Sequence, residues 1–128
     1  AIAPAGIHSY VCSASEKLKP FFQTGFHKGI TLTSPGLYGP QGRSTHLSAT
    51  VQDFISRLNK FRFHDLTISN IEMESSALFG LSKLLGHDCI SLNAILANRV
   101  TGTFSANPEK TVEALIARAL EIISGINS

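Results

Sequence analysis

The sequence predicts an α/β fold, a mostly parallel or mixed sheet flanked by helices. Helical and strand-like segments alternate along the chain, and residues 89–97 are apolar enough for an inner strand covered on both faces. Within 68–76 the spacing of apolar residues changes from the alternation typical of a strand to the three- and four-residue spacing typical of a helix. Because only three strands are indicated, too few for such a sheet, we expect the 128 residues to form part of a domain.

The composition is that of an ordinary globular domain. Hydrophobic residues make up 43% of the chain. The formal net charge is +2 and the basic residues are scattered, which gives little support to nucleic acid or a membrane surface as a partner. No apolar run is long enough to span a bilayer, and two cysteines without a CxxC pair favour a cytoplasmic location.

The first half of the chain is predicted to contain two helices and one strand. Residues 13–16 fit a capping box ahead of a short helix, and residues 29–33 read as a strand. The glycines and prolines of 34–43 indicate a loop with a specific backbone shape. Apolar residues at helical spacing predict a helix that begins near Ser48 or Thr50.

In the second half, a strand over 67–71 leads into an amphipathic helix that Gly86 should end. The apolar face of that helix, expected to be buried, comprises Met73, Ala77, Leu81, Leu84 and Leu85. After the apolar strand 89–97, Asn107 and Pro108 are typical of a helix start. The buried face expected for this last helix comprises Val112, Leu115, Ile116, Ala119 and Ile123.

Polar side chains follow each predicted strand. The pairs are Gln41 with Arg43, Glu72 with Glu74, and Asn98 with Arg99. Because the carboxyl ends of parallel strands lie at one edge of a sheet, we expect the three pairs to converge there. An acid in the first turn of a helix is favoured by the helix dipole, so Glu74 should be ionised and accept hydrogen bonds. Stabilising the helix is the alternative role for such an acid.

Three motifs at these strand ends are Gly-Leu-Tyr-Gly-Pro-Gln-Gly-Arg at 36–43, Asn-Ile-Glu-Met-Glu-Ser at 70–75 and Ala-Asn-Arg at 97–99. Together they resemble the nucleoside phosphorylase superfamily, most closely its uridine phosphorylase branch. The resemblance covers about 29–123 and implies that 1–128 is the C-terminal portion of a single nucleoside phosphorylase domain. It also implies a homo-oligomer, a hexamer assembled from dimers.

The implied activity is a pentosyl transfer of pyrimidine salvage, the reversible phosphorolysis of uridine to uracil and ribose 1-phosphate. Inorganic phosphate is the co-substrate, and no cofactor or metal is implied. Purine-specific relatives usually carry Ser-Asp where this chain has Asn98-Arg99, which favours a pyrimidine. A purine nucleoside phosphorylase, a hydrolytic nucleosidase and a non-catalytic nucleoside-binding module stay open as alternatives.

The resemblance assigns Arg43 and Glu74 as catalytic residues. Gln41 and Arg43 would bind uracil, whose two carbonyl oxygens and one N–H match an amide and a guanidinium. Glu74 would bind the ribose hydroxyls, and Glu72 would support it. Met73 would pack on the sugar or be an ordinary core residue.

The resemblance places Asn98 and Arg99 in the substrate-binding region, with Arg99 steadying the base-binding loop. Leu37 stands where many relatives have an aromatic residue that stacks on the base. In that family the phosphate site lies in the N-terminal half and includes a residue of a neighbouring subunit. Nothing in 1–29 matches it, so we expect the isolated chain to be inactive or very weak.

Overall fold

The structure, a computed structural model, describes residues 9–43 and 53–126. The helices in these ranges are α1 (Phe54–Lys60), α2 (Ser75–Leu85) and α3 (Pro108–Ile126), with short 3-10 helices at Lys19–Phe22 and Gly39–Gln41. The strands are β1 (Ile30–Thr33), β2 (Arg62–Phe63), β3 (Leu66–Glu72), β4 (Ala97–Asn98) and β5 (Thr103–Phe104). The predicted α/β class is therefore confirmed.

The main sheet is small and mixed, with the strand order β1-β3-β2. β1 and β3 are parallel, which brings Thr33 beside Glu72 at their carboxyl ends. β2 and β3 form an antiparallel pair, and so do β4 and β5 in a separate two-stranded ribbon. The parallel pair is the part of the sheet that positions the candidate site.

The prediction of an inner strand over 89–97 was wrong. Residues 87–96 have no regular secondary structure, and only Ala97, together with Asn98, pairs with β5. A strand forms only where a neighbour binds its N–H and C=O groups, and no strand of the main sheet pairs with 89–96 in the described ranges. The start of this segment is bound instead by the N-terminal region, where Ser15 N donates to the Cys89 oxygen at 2.8 Å.

The core of the described residues is correspondingly small. The buried apolar side chains there are Phe22, Phe54 and Leu58. The prediction of buried faces on α2 and α3 was wrong, because neither helix contains a buried residue and Leu84 of α2 is 83% exposed. An amphipathic helix buries its apolar face only against another layer, and a three-stranded sheet covers too little area for both helices.

Local signals at the helix ends agree with the structure more closely. Gly86 ends α2 in the left-handed conformation, with φ 75°, and Asn107 Oδ1 caps α3 by accepting from Lys110 N at 3.1 Å. The predicted capping box at 13–16 does not form before the first 3-10 helix. The positions near Ser48 and Thr50 lie outside the described residues.

Candidate functional site

The carboxyl ends of β1 and β3 form an edge from which the two segments that carry the first two polar pairs begin. Thr33 and Glu72 are register partners, and Ser34 N extends the pairing by donating to the Glu72 oxygen at 2.9 Å. Beyond this point β1 continues into the loop that contains Gln41, and β3 continues into the turn that contains Glu74. The parallel register therefore brings the starts of both segments together, and contact between the two polar pairs themselves stays a prediction.

The loop over 34–43 is held in a defined shape. The Ser34 hydroxyl donates to the Pro40 oxygen at 2.7 Å, and both Ser34 and Gln41 are only 5% exposed. Gly42 has a φ of 68°, and a Cβ at this position would lie 2.6 Å from the Phe54 ring. The loop thus packs directly on α1 at Gly42.

Arg99 connects the third polar pair to this loop. Its Nη1 atom donates to the main-chain oxygen of Gln41 at 2.6 Å. Partial burial lowers the pKa of Arg99, and the positive charge of nearby Arg43 lowers it further. The Arg99 guanidinium therefore lies beside the Gln41 main chain, within electrostatic reach of Arg43, and this part of the site is suited to carbonyl or anionic oxygens.

Asn98 has a local structural role. Its Oδ1 atom accepts from Val100 N at 2.9 Å and from Thr101 N at 3.2 Å. These bonds shape the turn between β4 and β5 that carries Arg99. The prediction that this pair follows a strand of the same parallel sheet was wrong, because β4 pairs only with β5 in a separate antiparallel ribbon within the described residues. Arg99 nevertheless contacts the loop, and a role for Asn98 in substrate binding stays a prediction.

Glu72 is the carboxylate that is most extensively bound by the protein. Its Oε1 atom accepts from the Thr33 hydroxyl, and its Oε2 atom accepts from Glu74 N at 2.8 Å and Ser75 N at 2.6 Å. Partial burial raises the pKa of Glu72, but the bonds from Thr33, Ser75 and Glu74 outweigh burial and lower it overall. Glu72 is therefore held as an anion that caps the start of α2.

Glu74 and Met73 are more open. The prediction that Glu74 lies in the first turn of the helix was wrong, because α2 begins at Ser75 and Glu74 is its N-cap residue. The Glu74 side chain accepts from Met73 N at 3.1 Å. Met73 is 45% exposed, so it is not a core residue in this structure. Both side chains are accessible beside the helix start, and their contact with a sugar stays a prediction.

Sequence reasoning missed Thr33 and Ser34. Their hydroxyls bind Glu72 and Pro40, respectively, and so connect the end of β1 to both neighbouring segments. The available signal was their position, because they are the last residue of a predicted strand and the first of the shaped loop. Hydroxyl groups at such a place commonly bind nearby backbone.

The described residues contain no cluster of His, Cys, Asp and Glu side chains that could hold a metal ion. Within the same ranges, no helix combines the length and the apolar character needed to cross a membrane. Comparison of the chain with protein-family models, with curated proteins and with solved structures finds no match.

Proposed function

We propose that this chain carries the base- and ribose-binding part of a uridine phosphorylase. The observation that chiefly supports the proposal is the bond from Arg99 to the Gln41 oxygen, with Arg43 close by. It joins two of the three motifs through a single contact. The third motif, with Glu72 and Glu74, lies at the adjoining strand end.

The positive groups fit the charge that develops in this reaction. Phosphate attacks the anomeric carbon of uridine, the bond from that carbon to the base nitrogen breaks, and uracil leaves with the bonding electrons. Arg43 and the Gln41 amide would stabilise the negative charge on the uracil oxygens. Loss of one such donor typically slows a reaction by about 100- to 1000-fold. No protein nucleophile is needed, because phosphate supplies the attacking oxygen.

The two glutamates differ in a way that suits separate roles. Both carboxylate oxygens of Glu72 accept bonds from the protein, whereas Glu74 is exposed beside the helix start. Glu74 would therefore accept from the ribose hydroxyls and orient the sugar, while Glu72 maintains the turn. The phosphate site would be supplied by other residues, so this chain by itself is expected to be inactive or very weak.

Calorimetric titration of the 128-residue chain with uridine, uracil and inosine tests the binding part of the proposal. We expect binding of uridine and uracil in preference to inosine, with Arg43→Met weakening both and Glu74→Gln weakening uridine alone. Arg57→Met and Glu113→Gln, at exposed positions of α1 and α3, are the matched controls and should bind as the wild type does. Preference for inosine would favour a purine enzyme and contradict the proposal.

Uracil release followed by ultraviolet absorbance tests the reaction. On the complete gene product we expect release from uridine only when phosphate is present, and Arg43→Met should lower the rate about 100- to 1000-fold. Release without phosphate would indicate a hydrolase. Binding of uridine without any turnover would indicate a nucleoside-binding module.

A further inference from the structure

We propose that Thr33 is a positioning residue, whose hydroxyl fixes the Glu72 carboxylate and thereby the backbone at Met73 and Glu74. The hydroxyl donates to Glu72 Oε1 and accepts from Ser76 N at 3.0 Å. A threonine hydroxyl can do both at once, since it has one proton and two lone pairs. One side chain of β1 is thereby bonded to the end of β3 and to the first turn of α2.

These bonds replace an ordinary helix cap. The first N–H groups of a helix have no partner within it, and the side chain at the N-cap usually binds one of them. In α2 the N-cap residue, Glu74, makes no such bond. Glu72 accepts instead from Glu74 N and Ser75 N, and Thr33 accepts from Ser76 N. Two strand side chains thus cap the helix, leaving the Glu74 carboxylate outside the cap.

The consequence concerns the position of Glu74. The Glu72 carboxylate accepts from the main-chain amides of Glu74 and Ser75, the two residues after Met73. The chain between Glu72 and Ser75 therefore closes into a tight turn. Thr33 restrains that carboxylate from the neighbouring strand. Without the Thr33 hydroxyl, Glu72 loses a donor on Oε1 and Ser76 N loses its acceptor. Glu74 would then be held less firmly in the place from which it reaches a ligand.

The ligand that Glu74 would reach is a nucleoside, whose ribose hydroxyls bind the Glu74 carboxylate. Only this identity of the ligand rests on the proposed function.

The variant Thr33→Val keeps the shape of the side chain and its strand preference but removes the hydroxyl. Thr33→Ser retains the hydroxyl and should rescue the loss. Thr31→Val, at the position two residues earlier on the same face of β1, is the matched control for loss of a threonine hydroxyl.

Nuclear magnetic resonance of the chain provides a test that does not require activity. In Thr33→Val we expect faster exchange of the Ser76 amide, shifted Glu74 and Ser75 amide signals, and a pKa of Glu72 raised relative to the wild type. Thr33→Ser and Thr31→Val should resemble the wild type. Unchanged Ser76 exchange together with an unchanged Glu72 titration in Thr33→Val would overturn the proposal.

Ligand titration separates positioning from general loss of structure. Thr33→Val should weaken uridine binding by about tenfold, the effect of one lost charge-assisted hydrogen bond, and leave uracil binding unchanged. An equal loss for uridine and uracil would show a general structural effect and contradict the positioning role. If the wild-type chain binds neither compound, the proposed function fails, and the amide exchange and Glu72 titration still decide whether Thr33 positions the turn.

Discussion

The Nη1 atom of Arg99 lies 2.6 Å from the main-chain oxygen of Gln41. This contact joins the turn between β4 and β5 to the loop after β1, and the guanidinium is partly buried where it does so. A hydrogen bond from a charged group of this kind contributes about 1.5–3 kcal/mol to stability. Arg99 therefore restrains a loop that is distant from it in sequence.

Replacing Arg99 by methionine should loosen this loop. The amides of Gln41 and Arg43 both donate to the Tyr38 oxygen and report directly on its shape. We expect both amides to exchange with deuterium faster in Arg99→Met, by about tenfold or more. The lost bond contributes at least about 1.4 kcal/mol, and this free energy changes the equilibrium for opening of the loop by a factor of about ten. Arg118→Met removes an exposed arginine of α3 and should leave both rates unchanged. Equal exchange in Arg99→Met and the wild type would contradict a restraining role.

Gly42→Ala should destabilise the protein through a clash as well as through backbone strain. The added Cβ would lie 2.6 Å from the buried Phe54 ring, and overpacking of this kind costs about 1–3 kcal/mol. Gly102→Ala is a matched control, since its φ of 71° is similar and nothing lies within 4 Å of its Cβ position. The difference between the two unfolding midpoints in urea isolates the clash. Equal midpoints would show that the loop does not pack on Phe54.

Glu72 should make stability depend on pH in the acidic range. Its pKa is lower in the folded chain than the ordinary value of 4.5, because the hydrogen bonds to its carboxylate outweigh partial burial. Its contribution to the free energy of unfolding is therefore complete above pH 4.5 and is lost as the pH falls through the lower, folded pKa. Glu72→Gln should reduce the fall in unfolding free energy on acidification, measured by urea titration at several pH values.

Asp88 supplies an internal comparison for this measurement. Hydrogen bonds from Ser15 and Lys17 lower the pKa of Asp88, so its contribution has the same sign. Since Asp88 and Glu72 share no hydrogen-bond partner among the residues that the structure describes, Asp88→Asn and Glu72→Gln should act additively in the double variant. If the unfolding free energy of Glu72→Gln falls on acidification as steeply as that of the wild type, the predicted contribution of Glu72 is contradicted.

Leucines on different helices should differ sharply in how much they contribute to the free energy of unfolding. Leu58 of α1 is 6% exposed and Leu84 of α2 is 83% exposed. Leu58→Ala should cost about 2–5 kcal/mol of unfolding free energy, whereas Leu84→Ala should change it by less than about 0.5 kcal/mol. Urea unfolding of the two variants measures this contrast. A large loss in Leu84→Ala would show that α2 is covered in solution.

Residues whose structure depends on neighbours in sequence were predicted well. Gly86 and Asn107 mark helix ends because an αL glycine and a capping amide act within one turn. The strand leading to Glu72 was also predicted, since alternation of side chains is a local pattern. Because the strand before Glu72 was predicted from local pattern alone, the position of Glu72 and Glu74 at the end of a strand could also be predicted from the sequence.

What failed depended on distant partners. Residues 89–96 are apolar enough for an inner strand, but strand formation also requires a neighbouring strand, which composition does not reveal. The faces of α2 and α3 were expected to be buried for the same reason, since periodicity shows which side is apolar and not what covers it. In the site, the role of Thr33 was missed because its bond reaches Glu72, 39 residues further along the chain. The role of Ser34 was missed for a different reason, since its bond to Pro40 depends on how the loop folds back on itself.

Leu37 provides a test of the proposed base site itself. It is 45% exposed in the loop that contains Gln41, at a position where the resembled family often has an aromatic residue. Because stacking of a base on an aromatic ring contributes about 1–3 kcal/mol, Leu37→Phe should tighten the binding of uridine and uracil by about tenfold. Ribose has no aromatic ring to stack, so its binding should be unchanged, and calorimetric titration of the three compounds measures the difference. Leu96→Phe adds the same ring at an exposed position outside the loop and should tighten none of them. If Leu37→Phe weakens uracil binding or leaves it unchanged, the base does not lie against this loop, and the assignment of Gln41 and Arg43 as its ligands is wrong.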